Sequence, residues 1–224
     1  MKSFLPILTL LILVNLSYSI LAQEVNEVSF SNVQPFEENR YDGVQGSPYL
    51  LKGWAKATLI DGEGLTYPDL LANFNGYEQE VEIKTEGGYM VLDHVFYPSL
   101  VLETEGETYS LVWGKQVGLK QDWVISLYQG NTWSLTAVFR TVMSEHTIQN
   151  VGETLEVKRF KSLKEYYLVQ GGQAQVIKMN KKKILALLGQ EKEINSFLKE
   201  KRLKLNSEAG LIATLQFLDQ QGND

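Results

Sequence analysis

Between residues 49 and 178, short apolar segments alternate with glycine-rich turns, and this punctuation constrains the fold more than any other feature. Tyr49-Leu50-Leu51 starts an apolar run through Trp54 that ends at Asp61-Gly62-Glu63-Gly64. Val81 and Ile83 alternate with Glu80, Glu82 and Lys84, the two-residue period of a half-buried strand. Glu86-Gly87-Gly88 then turns into Tyr89 to Asp93, which predicts a hairpin. Three more hairpins follow: Leu100–Leu102 with Tyr109–Trp113, Trp123–Tyr128 with Trp133–Val142 across Gly130-Asn131, and Tyr166–Val169 with Ala174–Ile177 across Gly171-Gly172. Links this short exclude parallel pairing, which needs crossovers of about a dozen residues or more. The expected fold is mainly β, an antiparallel sandwich or open barrel over 49–178.

From residue 179 the period changes to that of a helix. Asn180 predicts an N-cap for a helix carrying Ile184, Leu185, Leu187 and Leu188, and Gly189 predicts its end. Ile194, Phe197 and Leu198 form a second stripe, and Ser207 caps a third with Leu211, Ile212, Leu215 and Leu218. Helices this short are marginal alone in water. Residues 179–224 are therefore expected to dock as a small C-terminal helical cap.

The N-terminus predicts an address. Lys2 precedes an apolar run from Phe4 to Val14, and Ala22-Gln23 offers a small-residue cut, the layout of a secretory signal peptide over 1–22. A spanning helix needs about 20 apolar residues, and Pro6, Asn15 and Ser17 interrupt this run. The expected location is exported, periplasmic or secreted, including a peripheral place at the outer membrane. Residues 23–48 have little periodicity and read as an extended N-terminal segment. The chain has no cysteine, which excludes disulfides, thiolate chemistry and a lipid-bearing cysteine. A mature chain of about 200 residues is long enough to bury a sufficient core without them.

Charge is unevenly spread. Residues 23–177 carry 11 Lys+Arg against 21 Asp+Glu, whereas 178–204 carry 9 against 3. An acidic body is thus followed by a basic segment, an asymmetry that marks a candidate partner surface. Lys178, Lys181, Lys182 and Lys183 cluster at one helix start, and Lys199, Lys201, Arg202 and Lys204 at the end of the next. Cations at a helix N-terminus oppose the macrodipole. Lys181, Lys182 and Lys183 are accordingly the candidate binding residues, facing either an anionic envelope surface or an envelope protein. The competing reading is a solvated face leaning on the chain's own acidic body.

Two segments carry a resemblance. Val44-Gln45-Gly46-Ser47-Pro48-Tyr49-Leu50, followed by Asp61-Gly62, resembles the opening motif of a group of exported proteins of Bacteroidota that has no assigned activity. Glu165 to Val169, then Lys181-Lys182-Lys183-Ile184-Leu185, then Ile194, Phe197, Leu203 and Leu211 resemble that group's C-terminal pattern. The resemblance implies a bacterial envelope protein and brings no catalytic residues. The tryptophan-rich stretch 108–142 lies outside it.

Catalytic signals are weak. Asp93-His94 and Glu145-His146 set an acid beside an imidazole, but neighbours on a strand face opposite ways. Asp61, Glu63 and Asp69 are candidate oxygen ligands for calcium, or an ordinary acidic turn. Ser47 sits before Pro48 in extended backbone, without a nucleophile elbow. Trp54, Trp113, Trp123 and Trp133 are either core or a ligand platform, with Trp54 and Trp133 assigned to core. No catalytic residue, cofactor or metal is expected.

Three functions remain open. The first is a non-catalytic exported envelope protein binding a protein partner or an envelope surface. The second is a hydrolase of envelope polymers with paired carboxylates. The third is a small-ligand carrier inside a β-barrel. Nucleic acid is not an expected partner of an exported chain, and no transmembrane segment is expected after signal cleavage.

Overall fold

The computed structural model describes residues 34–37, 39–121, 123–150 and 153–221; the predicted signal peptide lies outside them. The strands are β1 (Gln34–Phe36), β2 (Val44–Gln45), β3 (Ala55–Ile60), β4 (Thr66–Asn75), β5 (Glu80–Thr85), β6 (Gly88–Val91), β7 (Ser99–Glu103), β8 (Thr108–Trp113), β9 (Trp123–Gln129), β10 (Trp133–Asn150), β11 (Glu153–Gln170) and β12 (Gln173–Ile177). Helices α1 (Lys181–Leu188), α2 (Glu191–Lys201) and α3 (Glu208–Gln221) follow. The fold is mainly β with a C-terminal helical cap, as the alternation and the later change of period predict.

All the strands join one open sheet in the order β1-β6-β5-β4-β3-β7-β8-β9-β10-β11-β12, with β2 pairing off this path. Every neighbouring pair along the path is antiparallel; β2 lies parallel to β11, far away in sequence. The predicted hairpins are present.

The sheet curls until its parts meet. The β4–β5 turn reaches β10, five positions away in strand order, where the Thr141 amide donates to the Gly76 carbonyl at 2.8 Å. Phe74 and Phe139 pack edge to face across this junction at 6.2 Å. Inside the curl, Leu59, Phe74, Val81, Ile83, Leu100, Leu102, Leu111, Trp123 and Ile125 form a filled core with almost no exposure. A second cluster joins Leu135 and Leu168 of the sheet to Ile184, Ile194, Leu211 and Leu215 of the cap. Leu127 and Tyr166 touch both clusters, so the helices close one end of the same interior.

The described part of the N-terminal segment, aperiodic in sequence and beginning at Gln34, is a strap. It adds β1 beside β6 at one sheet edge, then crosses to lay β2 against β11 at Lys158 and Arg159. Between these contacts Arg40 and Tyr41 cover the part of the face of β4 and β5 opposite the core that carries Asn75 and Glu82. Three polar side chains there are nearly or fully buried, namely Asn73, Asn75 and Glu82. Arg40 pairs with Glu82, and Asn75 Nδ2 donates to Glu82 Oε1 at 2.7 Å and to the Tyr41 hydroxyl at 2.8 Å. The Arg40 guanidinium also lies over the rings of Phe36 at 4.2 Å and Tyr41 at 5.0 Å. Tyr41 in turn meets Tyr49, Tyr77 and Phe160 edge to face. The strap is thus anchored by one buried charge and a mat of rings.

Burial raises the Glu82 carboxyl above the usual range, against the opposing pull of Asn75, Arg40 and Tyr49. Burial likewise lifts the Tyr41 phenol to about 12. Removing one partner of a buried pair leaves the other charge uncompensated. Arg40 keeps 23% of its side chain in water, so Arg40→Ala should cost about 3 kcal/mol, the lower end for such pairs. A folded-state carboxyl raised above its unfolded value loses stability as pH rises through the folded value. The deficit of Arg40→Ala relative to wild type should therefore shrink toward acid, where Glu82 becomes neutral. Urea unfolding at about pH 4.5 and 7.5 measures this, and a deficit independent of pH would contradict the account.

Candidate functional site

The predicted binding lysines sit at the start of α1. Asn180 caps the helix, its Oδ1 accepting from the Lys183 amide at 3.2 Å, and the chain leaves it at Gly189 with φ 68°. Ile184, Leu185 and Leu188 face the core, which leaves Lys181, Lys182 and Lys183 exposed on the first turn. No acidic side chain occupies that turn to offset them.

Folding joins the two basic clusters that the sequence keeps apart. Lys181 lines a groove of about 250 Å³ together with Lys199 of α2 and Lys204 of the α2–α3 loop. Asn195 and Asn206 add amide groups to the same walls, and Leu198, Leu203 and Leu205 contribute apolar lining. On the other side of α1, Lys178 and Lys183 line a shallow groove of about 420 Å³ against Val176 and Leu187. Lys201 does not join either groove and pairs with its neighbour Glu200 at 3.2 Å. Lys181, Lys182, Lys183, Lys199 and Lys204 form no ion pair with any described residue. The acidic body therefore does not neutralise the patch by contact.

The loop that presents Lys204 is fixed locally. Arg202 ends α2 in the left-handed region at φ 55°, and the Leu203 amide donates back to the Leu198 carbonyl at 3.0 Å. Ser207 donates to the Lys204 carbonyl at 2.8 Å and accepts from the Gly210 amide at 3.2 Å, the cap its position predicts. A Cβ at position 210 would collide with that Lys204 carbonyl, which makes glycine necessary there.

Helix α3 is held at both ends by the sheet. Glu208 pairs with Lys164 and accepts from the Tyr166 hydroxyl at 2.6 Å. Asp219 accepts from the Tyr128 hydroxyl at 2.7 Å and the Thr132 amide at 3.0 Å. Burial pushes both carboxyls up, but these donors outweigh it and hold each below its ordinary value. Gly130 gives Asp219 room, since a Cβ there would overlap its Oδ2. These carboxylates were not legible as functional positions in the sequence, because their partners lie 42 to 91 residues away.

The other candidates are used structurally. Asp61 Oδ1 accepts from the amides of Glu63 and Leu65 at 2.9 Å, and its Oδ2 accepts from Tyr67, so its own turn satisfies the carboxylate. Asp69 is exposed, in the left-handed region at φ 60° beside the β3–β4 irregularity. Asp93 caps its own loop through the Val95 amide at 2.8 Å, while His94 lies against the Trp113 ring at 5.3 Å. Glu145 pairs with Lys158 at 3.2 Å rather than with His146. Ser47 accepts from the Tyr49 amide at 3.1 Å. Glu80 and Glu82 are both raised by burial, but Glu82 is fully enclosed beneath the strap and reaches no cleft. Trp123 is core, Trp133 packs on the helical cap, and Trp54 and Trp113 remain half-buried.

Compared with known proteins, the chain matches no family model, no curated protein and no solved structure.

The α3 clamp sets the orientation of the basic grooves relative to the body. Asp219→Ala leaves the Tyr128 hydroxyl and the Thr132 amide without their acceptor and should cost about 1–3 kcal/mol. Carboxyls depressed in the folded state stabilise above their unfolded values, and that contribution is lost as pH falls through the folded values. Protection of the α3 amides, taken relative to their intrinsic exchange rates, should therefore fall below about pH 4, and in Asp219→Ala it should already be low at neutral pH. Unchanged exchange in the variant would show that the clamp does not hold the helix.

Proposed function

We propose that this is a non-catalytic exported protein whose helical cap docks on an anionic surface of the cell envelope. One observation carries the reading: Lys181, Lys199 and Lys204 converge on one groove, with Lys182 and Lys183 beside them, and none is paired with a described residue. Gathering like charges around a groove costs repulsion, which an anionic counterpart relieves. Near an anionic bilayer each lysine contributes about 1 kcal/mol, so Lys181, Lys199 and Lys204 form the docking face, while Lys182 and Lys183 on the same helix turn add to the positive field around it. The strongly acidic composition of residues 23–177 adds orientation, because the body is repelled by the surface that attracts the cap. The segment 1–22 supplies the address as a signal peptide, cut after Ala22.

A hydrolase with paired carboxylates has less support, since Glu80 and Glu82 do not face each other across open space. A carrier needs an enclosed cavity, and the inside of the curl is occupied by Leu59, Phe74, Leu100 and Trp123. Among the described residues, no helix is long and apolar enough to cross a membrane.

Co-sedimentation with vesicles of phosphatidylglycerol and phosphatidylcholine tests the docking face. Wild type should bind the anionic vesicles and lose binding as salt rises from 50 to about 500 mM, with little affinity for phosphatidylcholine alone. Neutralising Lys181, Lys182 and Lys183 to Gln should weaken binding roughly 100-fold, from about 1 kcal/mol per lysine. Equal binding to both lipids, or an unaffected triple variant, would overturn the reading. N-terminal sequencing of protein recovered from the envelope fraction should begin at Gln23, and retention of Met1 would remove the export step.

A further inference from the structure

A second surface lies on the outward face of β3, β4, β5 and β6. Register places Phe36, Tyr89, Lys84, Leu71, Lys56 and Glu103 in one row across this face. Rings cover its first part. Trp54 stacks on Tyr89 at 5.4 Å with 24° between planes, and Tyr89 meets Phe36 at 5.6 Å. Lys84 Nζ lies 5.5 Å from the Tyr89 centroid. Leu71, in the middle of the row, is 40% exposed, so the strip of half-buried rings is followed by one open leucine set between Lys84 and Lys56.

Beside the strip is a groove of about 980 Å³, walled by Trp54 and residues 51–56 on one side and by the β7–β8 turn, residues 103–107, on the other. Its rim mixes signs, with Lys52 and Lys56 facing Glu103, Glu105 and Glu107. The wall carrying Trp54 is rigid because Asn73 is buried beneath it. Asn73 Nδ2 donates to the Leu51 carbonyl at 3.0 Å and the Gly53 carbonyl at 2.9 Å, while its Oδ1 accepts from the amides of Leu51 and Phe74. Three hydrogen bonds between one buried amide and residues 51 and 53 thus fix the loop that delivers the indole. A site preorganised in this way does not spend binding energy on ordering a loop.

The geometry points to a binding site for a neutral oligosaccharide, with the Trp54 indole as stacking platform and the rim lysines and glutamates as hydroxyl partners. A half-buried indole on the groove wall, backed by Tyr89 and bordered by a few polar groups, matches the two faces of a pyranose, one lined with C–H bonds and the other edged with hydroxyls. Near-balanced charge on the rim favours a neutral ligand over a polyanion, which Glu103, Glu105 and Glu107 would repel. The groove exceeds the space one monosaccharide fills, so the ligand spans several sugar units.

Isothermal titration with soluble cello-, xylo-, malto- and chito-hexaose tests the site. At least one should bind with release of heat and a change in tryptophan fluorescence. Trp54→Ala should weaken that binding at least 10-fold, with Trp54→Phe intermediate and an unchanged circular dichroism spectrum for the latter confirming the fold. Asn73→Ala should also weaken binding, through the loop, while the Lys181/Lys182/Lys183→Gln variant binds sugar as wild type does. Failure of all four hexaoses to bind, binding indifferent to both Trp54 substitutions, or occupation of the groove by a peptide in place of sugar would overturn the assignment.

Discussion

A carboxylate with no exposure on the outward face of a sheet must be matched from above, and Glu82 is matched by Arg40. An isolated carboxylate transferred from water into such a place would shift its pKa until it was neutral. Here the cover is the N-terminal strap, which carries Arg40 and Tyr41 across β4 and β5 and ends by pairing with β11. The strap therefore joins parts of the chain that the strand order keeps far apart. Without it, β6 would be an open edge and the aromatic mat of Tyr41, Tyr49, Tyr77 and Phe160 would lose its centre.

The curl of the sheet depends on a close backbone approach at Gly76. Gly76 lets the β4–β5 turn approach β10, since a Cβ there would lie 2.6 Å from Phe139 Cδ1 and 2.9 Å from Thr141 Oγ1. Backbone bonds run through this glycine in both directions, from its amide to Pro48 and from Thr141 to its carbonyl. One glycine thus serves as the meeting point of the strap, the β4–β5 hairpin and the long β10 strand. The distal parts of β10 and β11 extend beyond β9 and leave Leu155 and Leu163 about half exposed.

Periodicity made the hairpins, the helix caps at Asn180 and Ser207, and the Gly189 helix end legible in the sequence. Each depends on residues within a few positions of one another. The strap was not legible, because its order comes from Glu82 and Asn75, partners 42 and 34 residues away. The outer half of β11 is not legible either, since its charged residues alternate without an apolar face. For the candidate site, the lysines were visible as two runs, but their convergence was not. The turn at Arg202 and the Ser207 cap fold Lys204 back toward Lys181, and neither residue signals that contact on its own. The apolar neighbours of Trp54 point to core, but those that are buried, Ala55, Ala57 and Leu59, lie on the opposite face of the strand from the half-buried indole.

The basic patch keeps its charge because the cap docks by other means. Helix α3 could have been attached by pairing cap lysines with body carboxylates. Instead the polarity is reversed: the cap supplies Glu208 and Asp219, and the body supplies Lys164, Tyr128, Tyr166 and the Thr132 amide. Most of these donors are neutral, so docking uses up only one cation, and that cation belongs to the body. The remaining attachment is apolar, through Leu135, Leu168 and the inward residues of all three helices. Attachment and charge presentation are therefore carried by different side chains. That separation leaves Lys181, Lys182, Lys183, Lys199 and Lys204 free of described ion pairs in a chain whose overall charge is negative.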